Sequence, residues 1–425
     1  MSIKGTVTLP GDKSLSHRAL IFAAMSNGES QISNLSDGND VMSTRECLEH
    51  CGIKIFDKGQ TTFVRGGSFT DPTVDLNCGN SGTTTRLLLG VLAGKGINAR
   101  FIGDQSLSSR PMDRILDPLT KMGLKSNSND GKLPISIFKS DLNGISHNSL
   151  IPSAQIKSAI LLAGIEANGE TSTTESILSR NHTEIMLKKL GATLSTNNLT
   201  NTISKSSLSS LINFNIPGDP STSSFFSTAA ILLPNSSIFI KNILLNPTRI
   251  GFYKIIEKMG AKLAYLNEKI SFGEQIGSLK VVSSNLKSVN ISKTDVPGLI
   301  DELPLIALLA TQANGTTKVR DAEELRFKEC DRIKAICKNL INMGANIKEL
   351  DDGFIIKGPT PLKATKIKTY GDHRIAMTFA IAGLISKEEI ELDNPDCVSI
   401  SFPKFYQELE RIKKAIKQSD AGQNY

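Results

Sequence analysis

A sixfold repeat constrains this chain more than any other feature of its sequence. Six times a polar loop rich in Gly, Ser, Thr, Asp or Asn runs into a strongly apolar stretch of helical length. The copies are GDKSLSHRALIFAAM (11–25), NSGTTTRLLLGVLAG (80–94), SAQIKSAILLAGIEA (153–167), GDPSTSSFFSTAAILL (218–233), IDELPLIALLATQA (300–313) and GDHRIAMTFAIAGLI (371–385). They recur every 65 to 80 residues or so, a period that means a stack of like units. A helix apolar on all sides has to be buried, so each copy predicts an inner helix. A second, amphipathic helix follows in each unit and closes at a glycine: Gly52, Gly123, Gly191, Gly260 and Gly344. The sixth such place is taken by FPKFYQELERIKKAI (402–416), which ends the fold. After each glycine come two alternating runs around a turn, such as DG at 130–131 or 352–353, which is a hairpin signal.

Six units predict an α/β chain of two domains with three units each, and 425 residues suit two cores of about 200 residues better than one. The break is expected between copies three and four, near Ile216-Pro217-Gly218-Asp219. The opening strand, 3–9, precedes the first polar loop and is expected to complete the second domain. The domains are then 13–217 and 1–12 plus 218–425, a hinged pair with crossovers near 10–13 and 216–219.

Composition removes several function classes. The chain carries a net charge of +7, but its basic residues are scattered; aromatics make up 5%, with no Trp, so a nucleic-acid partner is not expected. The first residues read as strand and loop, and no apolar run approaches the length of a membrane span, which predicts a cytoplasmic chain without a membrane partner. Six cysteines (Cys47, Cys51, Cys78, Cys330, Cys337, Cys397) show no CxxC spacing, which predicts thiols and no metal site. Acidic small molecules remain as the expected ligands.

The helix starts say where such ligands would bind. A helix N-terminus offers free N–H groups and the positive end of a dipole, and it favours an anion. Ser, Asp and Asn at these places are expected for capping alone. Lysine and arginine are not, because a cation there opposes the dipole by about 0.3–1 kcal/mol unless an anion lies between. Lys13, Arg18, Arg86, Lys157 and Arg374 all fall in the first turns of the predicted inner helices. Two more segments join the expected anion cage: DQSLSSRPMDR (104–114), with Arg110, and ELRFKECDR (324–332), with Arg326, Lys328, Glu329 and Arg332.

With those residues in place, the chain resembles the 3-phosphoshikimate 1-carboxyvinyltransferase (EPSP synthase) family along its whole length. The resemblance is carried in order by GDKSLSHR, GNSGTTTR, SSRPM, PSAQIK, RNHTE, NPTR, IDELP, RFKECDR and GDHR. The RNHTE, SAQIK and NPTR forms resemble the bacterial subgroup associated with glyphosate tolerance, although Gly82 keeps the glycine that leaves room for that inhibitor. The family fold is a pair of inverse α/β barrels, each of three βαβαββ units, with the active site in the interdomain cleft.

The resemblance implies no cofactor, a monomer, and two substrates. Shikimate 3-phosphate is expected on Lys13, Ser14, Arg18, Ser153, Ala154, Gln155, Arg180, Asp301 and Lys328. Phosphoenolpyruvate is expected on Lys13, Gly82, Arg110, Gln155, Lys157, Arg332 and Arg374. Asp301 is the implied base toward the 5-hydroxyl, and Glu329 and Lys13 the implied carriers of the C3 proton. Ile400 stands where some members have a lysine, with Lys404 the nearest substitute, and Ala154 replaces a second serine. One rival is the enolpyruvyl transferase that acts on UDP-N-acetylglucosamine, whose catalytic loop uses a cysteine; none occurs here between Cys78 and Cys330. Another is a non-catalytic binder, which would gain little from keeping Asp301 and Glu329 among phosphates.

Overall fold

The computed structural model describes residues 1–386 and 388–421. The six apolar copies are helices: Lys13–Met25, Gly82–Gly94, Ala154–Gly164, Pro220–Leu232, Leu303–Gln312 and His373–Gly383. Nearly every residue of each is buried, polar Ser and Thr included. We call them the first to sixth buried helices. The outer helices Asn39–His50, Asp113–Met122, His182–Lys189, Gly251–Lys258 and Arg332–Asn342 bury one face each. The glycine that closes each one sits at φ between +87° and +112°, backbone that a side chain would strain.

One unit displays the repeat plainly. Leu76–Asn77 runs parallel to Ala99–Ile102 across the second buried helix, with Leu76 opposite Phe101. Ala99–Ile102 then pairs antiparallel with Lys132–Phe138, the inner strand of a hairpin with Lys125–Asn129. Asp130 and Gly131 turn that hairpin with φ of 48° and 67°, as a type I′ turn requires. The order strand, helix, strand, helix, hairpin is the βαβαββ unit, and the same four-stranded sheet is built five times. The sixth unit has a two-stranded sheet, Lys366–Ile367 with Glu391–Leu392, and closes on the helix Phe405–Ala421.

The chain divides into two compact units, Gly11–Ile216 with Phe272–Glu274, and Met1–Pro10 with Pro217–Ser271 and Gln275–Tyr425. The opening strands are exchanged along the sequence. Lys4–Val7 pairs with Ser237–Leu244, 233 residues on (Lys4↔Ser237), although the helix that follows it at Lys13 belongs to the other unit. Phe214–Asn215 pairs back to Gly28–Ser33, and the helix after it belongs elsewhere too. The segment Phe272–Glu274, which falls in the expected range 218–425, groups instead with the Gly11–Ile216 unit. Its side chains join the Gly11–Ile216 unit, where Phe272 packs on Phe214 and Glu274 holds His182 at 2.7 Å.

Within the Gly11–Ile216 unit, the second and third buried helices pack backbone to backbone. A Cβ on Gly90 would lie 2.2 Å from the carbonyl oxygen of Ala159, and one on Gly94 would lie 3.2 Å from that of Ala163. Small residues one turn apart on both helices allow this approach. Its effect is to bring the two helix starts, with Gly82, Arg86 and Gln155, side by side.

Candidate active site

In the Gly11–Ile216 unit, three capped helix starts carry the candidate residues. Asp12 Oδ1 accepts from Leu15 N at 2.7 Å, Ser81 Oγ from Thr84 N at 3.1 Å, and Ser153 Oγ from Ile156 N at 3.5 Å. The Lys13 ammonium is ion-paired with Asp40, on the first turn of an outer helix. Beside it, Ser14 Oγ is 3.4 Å from Arg180 Nη1. Arg18 is buried and divides its donors among Thr183 Oγ1 (2.8 Å), Ser158 Oγ (2.9 Å) and Ser14 O (3.1 Å).

A second group gathers around Gly82. Gln155 bridges two helices, accepting from Arg86 at 2.8 Å and donating to Thr83 Oγ1 at 3.0 Å. Arg110 is fixed by Asn80 Oδ1 (2.8 Å) and Ser106 Oγ (3.0 Å), and Asn80 itself leans on Asp104 (2.7 Å). A Cβ on Gly82 would stand 2.5 Å from Arg86 Nη1 and 3.6 Å from Arg110 Nη1, so two guanidinium groups converge on a glycine. A relay joins the two groups: His17 Nδ1 to Thr44 Oγ1 (2.7 Å), and Thr44 Oγ1 to Thr84 Oγ1 (2.6 Å). His17 is fully buried; burial first, then the Lys13 and Arg18 charges, push its pKa well below the usual imidazole range.

Lys157 does not join them. Its ammonium lies 2.6 Å from Glu175 and 2.7 Å from Glu184, with side-chain exposures of 1%, 1% and 7%. This corrects the expectation that it neutralises phosphoenolpyruvate. The reason is helical geometry: at about 100° per residue, positions 155 and 157 point roughly 200° apart, so if Gln155 faces the helix starts, Lys157 faces the interior.

In the other unit the charged segment folds into a carboxylate–guanidinium cluster. A short 3₁₀ turn, Ile300–Glu302, sets Asp301 just ahead of the fifth buried helix. Arg332, 1% exposed, reaches Asp372 Oδ2 at 2.7 Å, Glu329 Oε2 at 2.5 Å and Asp301 Oδ1 at 3.3 Å. Arg374 lies 3.6 Å from Asp301 Oδ2 and 3.6 Å from Glu302 Oε1. Burial opposes the charge on Arg332, but Asp372, Glu329 and Asp301 outweigh it and hold its pKa above the ordinary guanidinium value. Lys328 is half-buried next to Glu329. Arg326 belongs to the scaffold, holding Asp331 (2.7 Å) and Glu349 (3.0 Å). Four carboxylates, Asp301, Glu302, Glu329 and Asp372, share two guanidinium groups, so the cations of this cluster are already paired with acids. One arginine fork fixes the candidate base and the candidate acid together.

The caps refine the argument about helix dipoles. Asp12, Asp219 and Asp372 put a carboxylate on the first, fourth and sixth buried helices, and Asp219 is further satisfied by Arg249 at 3.3 Å. Ser81 and Ser153 are neutral caps, so the second and third helices keep their positive ends for a ligand. Asp40, Thr44 and Glu175 were not found from sequence, since they lie on outer helices and a strand end and look like ordinary caps and polar strand residues. Among the described residues, no group of His, Cys, Asp and Glu is placed to hold a metal ion.

The family model for EPSP synthase (3-phosphoshikimate 1-carboxyvinyltransferase) matches residues 1–409. The chain is 43% identical over 421 residues to the 3-phosphoshikimate 1-carboxyvinyltransferase of Oceanobacillus iheyensis, covering 97% of each. It is 44% identical over 417 residues to that of Streptococcus pyogenes serotype M12, covering 96% of each. The EPSP synthase structure from Acinetobacter baumannii superposes with a TM-score of 0.86 at 35% identity, covering 97% of this chain and 96% of that one. The enolpyruvyl transferase NikO from Streptomyces tendae, at 18% identity and a TM-score of 0.76 over 97% of this chain and 95% of that one, shares the fold.

Proposed function

We infer that this chain, which belongs to the EPSP synthase family, transfers the enolpyruvyl group of phosphoenolpyruvate to the 5-hydroxyl of shikimate 3-phosphate and releases phosphate. It is a transferase of the shikimate pathway. The observation that carries the catalytic assignment is the Arg332 fork, which ties Asp301 and Glu329 to one rigid group.

In this reading Asp301, an acceptor between two guanidinium groups, takes the proton of the 5-hydroxyl as its oxygen attacks C2. C3 receives a proton from Glu329 or Lys13, which gives a tetrahedral adduct. Loss of phosphate with return of a C3 proton restores the double bond. The charge that builds on phosphoenolpyruvate is assigned to Arg110, Gln155 and the open helix start at Gly82, with Arg332 and Arg374 as further cations. Lys13, Ser14, Arg18, Ser153, Ala154, Gln155, Arg180 and Lys328 take shikimate 3-phosphate.

All of these groups belong to one chain, which supports action as a monomer. The six unpaired thiols support a reducing, cytoplasmic setting. Among the described residues no helix is long and apolar enough to cross a membrane.

Phosphate release with both substrates tests the reading. Asp301→Asn and Glu329→Gln are expected to slow it by about 10² to 10⁴, the usual worth of a positioned acid or base. No release from the parent protein refutes the activity, and release with UDP-N-acetylglucosamine in place of shikimate 3-phosphate transfers it to the rival substrate. Unchanged rates in both variants refute the roles alone.

A further inference from the structure

Lys157, Glu175 and Glu184 form a buried ionic group in the Gly11–Ile216 unit that the reaction leaves unused. Two carboxylates share one ammonium at 2.6 and 2.7 Å. Glu175 Oε1 and Glu184 Oε2 have no hydrogen-bond partner among the described residues, and Glu184 gains only a long contact from Asn201 Nδ2 at 3.4 Å. Such a triad is a poor way to add stability, because desolvation cancels most of the attraction and apolar residues of the same volume do as well or better. What an ionic group provides, and an apolar one does not, is direction.

The direction here is specific. Glu175 ends the strand Thr171–Glu175, and its carboxylate also receives Ser179 N at 3.4 Å, which pins the loop just before Arg180. Glu184 stands on the first turn of the helix His182–Lys189, just after Arg180. Lys157 joins both to the third buried helix, two residues from Gln155. A neighbouring residue on each helix repeats the link, since Ser158 Oγ and Thr183 Oγ1 are 2.6 Å apart and both receive Arg18. The segment that carries Arg180 is therefore clamped on both sides against the helix that carries Gln155.

We propose that Lys157, Glu175 and Glu184 are positioning residues that set Arg180 for shikimate 3-phosphate, and that Lys157 touches neither substrate. The proposal rests on the assignment of Arg180 above. Losing a charge-assisted hydrogen bond through misplacement is expected to raise the KM for shikimate 3-phosphate about ten- to hundredfold. The KM for phosphoenolpyruvate should stay within about twofold, because Gln155, Arg86 and Arg110 do not depend on the triad.

Steady-state kinetics on Arg180→Ala, Glu175→Gln, Lys157→Met and the apolar triple variant K157M/E175L/E184M decide the matter. The triple variant leaves no orphan charge and is expected to keep its melting temperature while losing shikimate 3-phosphate affinity, which separates positioning from folding. Adding Arg180→Ala to the triple variant is expected to change little further, since both act through one group. If Lys157→Met raises the KM for phosphoenolpyruvate instead, Lys157 is a ligand and the proposal fails. If Arg180→Ala weakens shikimate 3-phosphate while the triple variant binds it normally, the proposal fails and the Arg180 assignment stands. If Arg180→Ala itself has no effect, both fall.

Discussion

Gly90→Ala sets two opposite effects against each other. In an open helix the change gains about 1 kcal/mol, because alanine has the higher helix propensity. Here the new Cβ would lie 2.2, 2.8 and 2.9 Å from the O, C and Cα of Ala159. These are backbone atoms, so no rotamer change relieves the overlap, and the helices must separate by about 1 Å to regain ordinary contact. A radial gap of that size forfeits roughly a quarter to a half of each dispersion contact along the seam, and forced overpacking costs about 1–3 kcal/mol. Taking the upper end for a clash with main chain and subtracting the propensity gain leaves a loss of about 2 kcal/mol. At about 2–4 °C per kcal/mol for a unit of this size, the melting temperature should drop by roughly 4–8 °C in a thermal scan followed by circular dichroism. The same separation stretches the Arg86–Gln155 bond, now 2.8 Å, so the KM for phosphoenolpyruvate should rise as well. A melting temperature equal to or above that of the parent would refute the packing argument, since propensity alone would then have won.

Two other outcomes are open to direct measurement. Gly82→Ala presses on the movable end of Arg86 at 2.5 Å and not on main chain, so stability should hold while the KM for phosphoenolpyruvate rises about tenfold through loss of the Arg86–Gln155 bond; an unchanged KM contradicts this. His17 is neutral in the fold and its pKa is depressed, so below about pH 6.5 the unfolded chain binds a proton that the folded chain refuses. Stability should therefore fall as pH drops from 7 to 5, by up to about 1.4 kcal/mol per pH unit, and His17→Gln should flatten that slope in melting scans; an equal slope in the variant removes His17 from the account.

The architecture was legible because its signals are local. Continuous apolar runs mark buried helices, a glycine after an amphipathic run marks a helix end, and Asp130-Gly131 marks a hairpin turn. The candidate residues were legible by the same route wherever they sit at a helix start. Their partners were not, because they are distant in sequence: Lys13 and Asp40 are 27 residues apart, Arg332 and Asp372 are 40 apart, and an ion pair leaves no periodic trace. Lys157 shows the error this causes. Its position near a helix start suggested a ligand, while the carboxylates that claim it wait on a strand end and an outer helix. Arg332 is a milder case, since composition revealed the charges of its segment but not that three carboxylates already share it.

The pairing of Lys4–Val7 with Ser237–Leu244 also bears on how the chain is made. A ribosome adding about 5–20 residues per second needs roughly 10–50 s to produce the partner of the first strand after that strand has been synthesised. During that interval the whole of Gly11–Ile216 is produced, together with the Phe214–Asn215 strand that closes its own first sheet. The inserted unit can thus reach nearly its full set of pairings while the N-terminal strand still waits. In vectorial synthesis the order of assembly is inside first, then the flanks, with Lys4–Val7 the oldest segment of the chain and unable to pair until the inserted unit has been made.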